Sequence, residues 1–125
     1  SKWAVLGYAP WKGVISYSKR EQILNIADYI GEKKLTARLK TPIMAVLMPR
    51  SDKTDGKTVS VSVMNCTVGE SGTLELIIRN PKGSKFYFVS QNTEKTELAY
   101  KKDGDNYILD IPNIMPWSIG TVFIS

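Results

Sequence analysis

The feature that most restricts how this chain can fold is a change of hydrophobic period near residue 40. Beyond it, short runs rich in Val, Ile, Phe and Tyr begin near residues 43, 58, 73, 85, 97, 106 and 117. Turn chemistry separates them: Asp52-Lys53-Thr54-Asp55-Gly56, Gly69-Glu70-Ser71-Gly72, Asn80-Pro81-Lys82-Gly83, Asn92-Thr93-Glu94-Lys95, Asp103-Gly104-Asp105, and the stretch from Pro112 to Pro116. Several runs alternate with the two-residue period of a strand. Val59, Val61 and Val63 oppose Ser60 and Ser62, Leu74, Leu76 and Ile78 oppose Glu75 and Arg79, and Trp117, Ile119, Thr121 and Phe123 share one face. Seven short strands at this spacing predict a mainly β fold, a seven-stranded antiparallel β-sandwich of immunoglobulin-like, Greek-key type over residues 41–125. Val61, Leu76, Ile78, Phe88, Leu109 and Phe123 are expected inside it. Near Asn65 the phase shifts by one residue, as a β-bulge or a strand buried on both faces would require.

Before residue 40 the period is helical. Ser18-Lys19-Arg20-Glu21 has the form of a capping box. Ile23, Ile26, Ala27 and Ile30 then fall on one stripe, and Gly31 stands where a C-terminal cap belongs. A helix is predicted over 18–30. Residues 2–6 read as a single short strand, and residues 8–17 as an irregular loop. Residues 1–40 are therefore expected to be a strand, loop and helix, the residual end of a preceding domain or a linker, with 41–125 as the sandwich domain.

A chain of 125 residues that is 42% hydrophobic and 23% charged has the balance of one globular domain. It has no apolar run near the roughly 20 residues of a membrane span. The net charge of +5 resides in residues 1–40, which hold eight basic and three acidic residues, while the remainder is balanced. Lys33, Lys34, Arg38 and Lys40 follow the predicted helix, where cations complement its dipole and solvate a connection. No nucleic-acid partner is expected. Cys66 is the one cysteine, so no internal disulfide can form, and its apolar setting is that of a small buried hydrophobe. The chain opens with neither an initiator Met nor a signal-like segment, as expected of part of a longer protein.

Catalytic chemistry finds little support. There is no histidine. Gly69-Glu70-Ser71-Gly72 lacks the glycine spacing of a nucleophile elbow and reads as a tight hairpin. Asp103, Asp105 and Asp110 do not follow an EF-hand loop. The acids concentrate in turns, where two of them do not face each other across a cleft as glycoside hydrolysis needs. No catalytic residue, metal or cofactor is expected. The aromatics say more: Trp3, Tyr8, Trp11 and Tyr17 cluster ahead of the sandwich. Their rings fit either of two roles, stacking on the apolar face of a sugar beside Lys12 or Asn25, or structural packing, of helix 18–30 against the sheet or against another domain. A carbohydrate-binding module would expose a planar row of aromatics on one sandwich face.

Gly7-Tyr8-Ala9-Pro10-Trp11, followed by Lys19-Arg20-Glu21-Gln22-Ile23-Leu24-Asn25-Ile26-Ala27-Asp28-Tyr29, resembles a junction in certain large bacterial glycosidase-like proteins. There an amidotransferase-like α/β domain ends, as in the β-galactosidase trimerisation fold. Pro49-Arg50, Val63-Met64-Asn65-Cys66, Ile111-Pro112 and Met115-Pro116-Trp117-Ser118 are similar to the C-terminal β-sandwich that closes such chains. The resemblance implies a parent glycoside hydrolase acting on polysaccharide, with its acid and base carboxylates in a barrel domain, and carries no catalytic residue onto this chain. The expected role is a non-catalytic accessory domain that packs on upstream domains of the same parent chain. The alternatives are a carbohydrate-binding module or a protein-interaction and adhesion domain. The expected location is secreted, periplasmic or cell-envelope, and self-association is expected through residues 1–17.

Overall fold

The computed structural model describes residues 2–7, 16–32 and 35–125. The chain divides into two compact units, residues 1–35 and 36–125. In the first, helix α1 spans Tyr17–Ile30 and buries no residue. Its N-cap is Ser16, not Ser18, and no side chain caps it, so the expected capping box does not form. Because Ser16 takes the extended backbone that precedes the helix, Ser18 already lies inside the first turn. At the other end Gly31 closes the last turn through its N–H to the Ala27 carbonyl, and Glu32, with φ of 53°, makes the left-handed step. Residues 2–6 form no strand, a second departure from expectation. Consecutive apolar residues make a strand only beside a hydrogen-bonding partner.

The second unit consists of nine strands in two antiparallel sheets, a sandwich-like arrangement with two more strands than the seven expected. In chain order these are β1 (Ala37–Leu39), β2 (Ala45–Ser51), β3 (Thr58–Asn65), β4 (Leu74–Arg79), β5 (Phe86–Ser90), β6 (Thr93–Leu98), β7 (Tyr100–Asp103), β8 (Asn106–Ile111) and β9 (Ile119–Ile124). The four-stranded sheet has the order β1-β4-β8-β7, and the five-stranded sheet β2-β3-β9-β5-β6. One added strand is β1, Ala37-Arg38-Leu39, too short to show a period and defined by its pairing with β4. The other arises because residues 93–103 split at Ala99. Leu98 lies opposite Phe86 in the five-stranded sheet, whereas Tyr100 lies opposite Leu109 in the four-stranded one. Residues 93–95, expected in a turn, begin β6. The rings of Phe86, Tyr100 and Tyr107 close this edge between the sheets, with centroids 5.3–5.7 Å apart. Gly69-Glu70-Ser71-Gly72 belongs to a loop that crosses from β3 in one sheet to β4 in the other, and is not a hairpin.

The core comprises Val61, Val63, Leu74, Leu76, Ile78, Phe86, Phe88, Leu109, Ile111, Ile114 and Val122. Five of the six expected core residues are among them. The sixth, Phe123, is 48% exposed. Along β9 it is Gly120 and Val122 that face inward, because the Phe88 ring occupies the space over Gly120. A Cβ there would lie 2.5 Å from that ring. The small residue marks the inner face, and the bulky ones point out.

Candidate functional site

Of the four aromatics expected to form a contact site, the structure describes Trp3 and Tyr17. Tyr8 and Trp11 lie outside the described residues. Trp3 is 76% exposed and Tyr17 48%. The Arg20 guanidinium sits 5.6 Å from the Tyr17 ring centroid, and the Lys2 ammonium 5.1 Å from that of Tyr29. Gln22, Asn25 and Tyr29 line a shallow depression of about 400 Å³ on the face of α1.

The more organised region is the loop end of the sandwich, and its hub is a buried amide. Asn65, at the end of β3, is fully buried. Its Nδ2 donates to the carbonyls of Gly69 and Ile114 at 2.9 and 3.0 Å. Its Oδ1 accepts from the Thr67 N–H at 3.0 Å and the Thr67 hydroxyl at 2.7 Å. Its own N–H donates to the Ser118 carbonyl, and its carbonyl accepts from the Trp117 N–H. One side chain thus ties the 66–72 loop to the segment 112–118, and among the described residues every buried side-chain nitrogen and oxygen has a partner, as a low-dielectric interior demands. The alternation of β3 runs unbroken from Val61 and Val63 to Asn65. The expected phase shift is neither a bulge nor a doubly buried strand. It is a buried polar residue that ends the strand on its inner face.

This clamp holds Trp117 at φ of 56° with its side chain 61% exposed. A left-handed backbone at a bulky residue costs about 1–3 kcal/mol, and surrounding structure must impose it. Val68, 93% exposed, stands on the loop that Asn65 ties in. The outer face of the five-stranded sheet begins where these loops join β3 and β9. Register places Val46 opposite Met64 and Met64 opposite Ile119, an uncharged apolar row across three strands. Two residues further along, Met48, Ser62 and Thr121 follow, with the two hydroxyls hydrogen-bonded at 2.9 Å. Two more bring Arg50, Ser60, Phe123, Tyr87 and Glu97 into register, one from each strand. This face therefore runs from an apolar end at Ile119, two residues after Trp117, to a mixed aromatic and charged end at Phe123.

On the four-stranded sheet, Glu75 and Asp110 are direct cross-strand partners, which corrects the expectation that acids concentrate in turns. They line a pocket of about 340 Å³ with Tyr100, Lys101 and Ile108. Lys40 pairs with Glu75 at 3.2 Å, which offsets the repulsion of like charges side by side. Both carboxylates stand on one face of the sheet, side by side in the register. An ion pair joins Asp52, in the β2–β3 turn, to Lys82 in the connection between β4 and β5. That ammonium, together with the N–H and hydroxyl of Thr54, holds the Asp52 carboxyl far below the usual carboxylate range, and Asp52 in turn raises Lys82. Among the described residues no group of three His, Cys, Asp or Glu could hold a metal, and no helix is long and apolar enough to cross a membrane.

Known proteins resemble this chain in fold rather than in sequence. No family model matches it, and no curated protein is similar in sequence. Among solved structures, α-L-fucosidase isoenzyme 2 from Paenibacillus thiaminolyticus superposes with a TM-score of 0.57 at 11% identity. The match covers 93% of this chain and 20% of the fucosidase chain, so this chain spans about one fifth of its neighbour's length.

Proposed function

We propose that this chain is a non-catalytic accessory β-sandwich of a glycoside hydrolase, and that it packs on a neighbouring domain of its parent chain. The observation that carries this reading is the uncharged apolar end of the five-stranded sheet. Val46, Met64 and Ile119 lie in one row there beside a strained, exposed Trp117. Trp and Met are enriched, and charges depleted, in the centres of protein interfaces. A ring presented on a rigid, clamped loop has the form of an interface anchor. The fold match to one fifth of a fucosidase supports a setting beside a larger body. The glycoside-hydrolase setting supports a secreted, periplasmic or cell-envelope location and a bacterial source. The immunoglobulin-like Greek-key description, and the split into an N-terminal remnant and a sandwich, belong to the same reading. Self-association through residues 1–17 draws support from Trp3 and Val5, 76% and 79% exposed.

Replacing Trp117 by Ala, in this chain and in the longer encoded protein, tests the reading. The substitution is expected to lower the thermal midpoint of the longer protein and to leave that of the 125-residue chain almost unchanged. Equal shifts in both would end the packing role.

A further inference from the structure

At the end of the sheet opposite Trp117, the geometry points to a second site: the row Arg50, Ser60, Phe123, Tyr87 and Glu97 binds a neutral saccharide chain. This inference does not rest on the packing role. The row lies four residues along β9 from Ile119, about 13 Å at the usual rise of a strand, so a domain seated on the apolar end leaves it open.

The row takes one residue from each of the five strands, in consecutive register. With neighbouring strands about 4.8 Å apart it spans about 19 Å, the length of several linked pyranose rings. Phe123 and Tyr87 occupy adjacent places in it. On the Phe123 side Ser60 is short and nearly buried, which leaves the Phe123 ring standing above the sheet. Beyond Ser60 comes the exposed guanidinium of Arg50, and beyond Tyr87 the exposed carboxylate of Glu97. Lys95 places its ammonium 4.5 Å from the Tyr87 ring centroid.

A pyranose is amphipathic in the same sense. Its C–H faces are apolar, whereas each hydroxyl on its rim both donates and accepts. Aromatic faces receive the former, and the rim needs donors and acceptors together. Arg50 and Lys95 supply donors, and Glu97 an acceptor. The mixed signs select a neutral ligand, since an anionic polymer or a nucleic acid calls for cations without a carboxylate among them. The uncharged row at Val46, Met64 and Ile119 offers a sugar rim nothing.

Native gel electrophoresis of the 125-residue chain through gels containing galactomannan, xyloglucan or arabinogalactan tests the site. Alginate serves as the anionic comparison. At least one neutral polymer is expected to retard the chain, and about 0.5 M salt should leave the retardation intact. Phe123→Ala should weaken it by about tenfold, the loss of one stacked ring. Glu97→Ala, at an exposed position that does not threaten the fold, should weaken it by about threefold. Trp117→Ala should have no effect.

Any of four results overturns the site: no retardation by any neutral polymer, retardation by alginate alone that salt abolishes, loss on Trp117→Ala, or indifference to both Phe123→Ala and Glu97→Ala. A dimer that Phe123→Ala dissolves, in a chain no polymer retards, would assign the row to a second copy instead.

Discussion

Asn65 shows how much of this molecule's loop architecture depends on one amide. Its side chain makes four hydrogen bonds from a fully buried position. Replacement by Ala would leave the Thr67 N–H without its acceptor and take one of two donors from each of the Gly69 and Ile114 carbonyls, which keep the Thr67 hydroxyl and the Ser71 N–H. Each hydrogen bond lost costs about 0.5–1.5 kcal/mol and the orphaned N–H about 1–3 kcal/mol, partly relieved where the loop opens to solvent. Asn65→Ala is thus expected to cost about 2–4 kcal/mol in urea unfolding, and to raise amide exchange in residues 66–72 and 112–118 well before the core strands open. A loss below about 0.5 kcal/mol would show that the loops are held by other means. In the sequence Asn65 read as a break in strand phase, because a polar residue at an inward position mimics a shift of register. Nothing local marks it as a hub, since its side chain reaches a partner 49 residues away. Phe123 was misread for a related reason. Hydrophobicity assigns a bulky ring to the core, yet the inner face of β9 is set by the space that Phe88 takes over Gly120.

At the scale of elements, strand period was legible wherever both faces of a strand differ, as in β3, β4 and β8. It failed at β1 and at the split between β6 and β7, where burial is partial and pairing comes from distant partners. The site suffered likewise. The row from Arg50 to Glu97 draws on five strands, and only the sheet order brings it together. The β2–β3 turn was legible as a turn, but its link to Lys82, thirty residues on, was not. That link has a pH signature. The folded carboxyl of Asp52 is held far below its ordinary value of 3.8, first by Lys82. The folded chain therefore binds fewer protons than the unfolded chain in acid. The pair's stabilisation is complete above the ordinary carboxylate range and fades as pH falls toward the depressed value. Lys82, raised by the same contact, contributes below its ordinary value of 10.5 and ceases to do so as pH rises beyond its raised one. Asp52→Asn should lower the urea midpoint slightly at neutral pH, and the gap from the native chain should close as pH falls below about 3. High salt should shrink it, because the pair is solvent-exposed. A gap constant from neutral pH into acid would detach the effect from this carboxylate.

Across the whole molecule, the two units differ in what could hold each of them folded. Among the described residues every core residue lies between Val61 and Val122, and all strand pairs fall within residues 36–125. A sandwich of that size buries enough surface to fold without further support. Helix α1 has 14 residues, no buried side chain and no side-chain cap. Isolated helices shorter than about 12–15 residues are marginal in water even with favourable composition, because nucleation is costly and too few bonds follow. A chain that begins at Thr36 is accordingly expected to unfold in one cooperative step, with a urea midpoint close to that of the full chain and nearly the same slope, since the slope follows the surface exposed on unfolding. Its far-ultraviolet circular dichroism should lose the helical contribution and keep the β signal. A peptide of residues 1–35 should by itself show little helix. A shortened chain without a cooperative transition would make residues 1–35 part of the sandwich's own stability, and the two units would then be one folding domain.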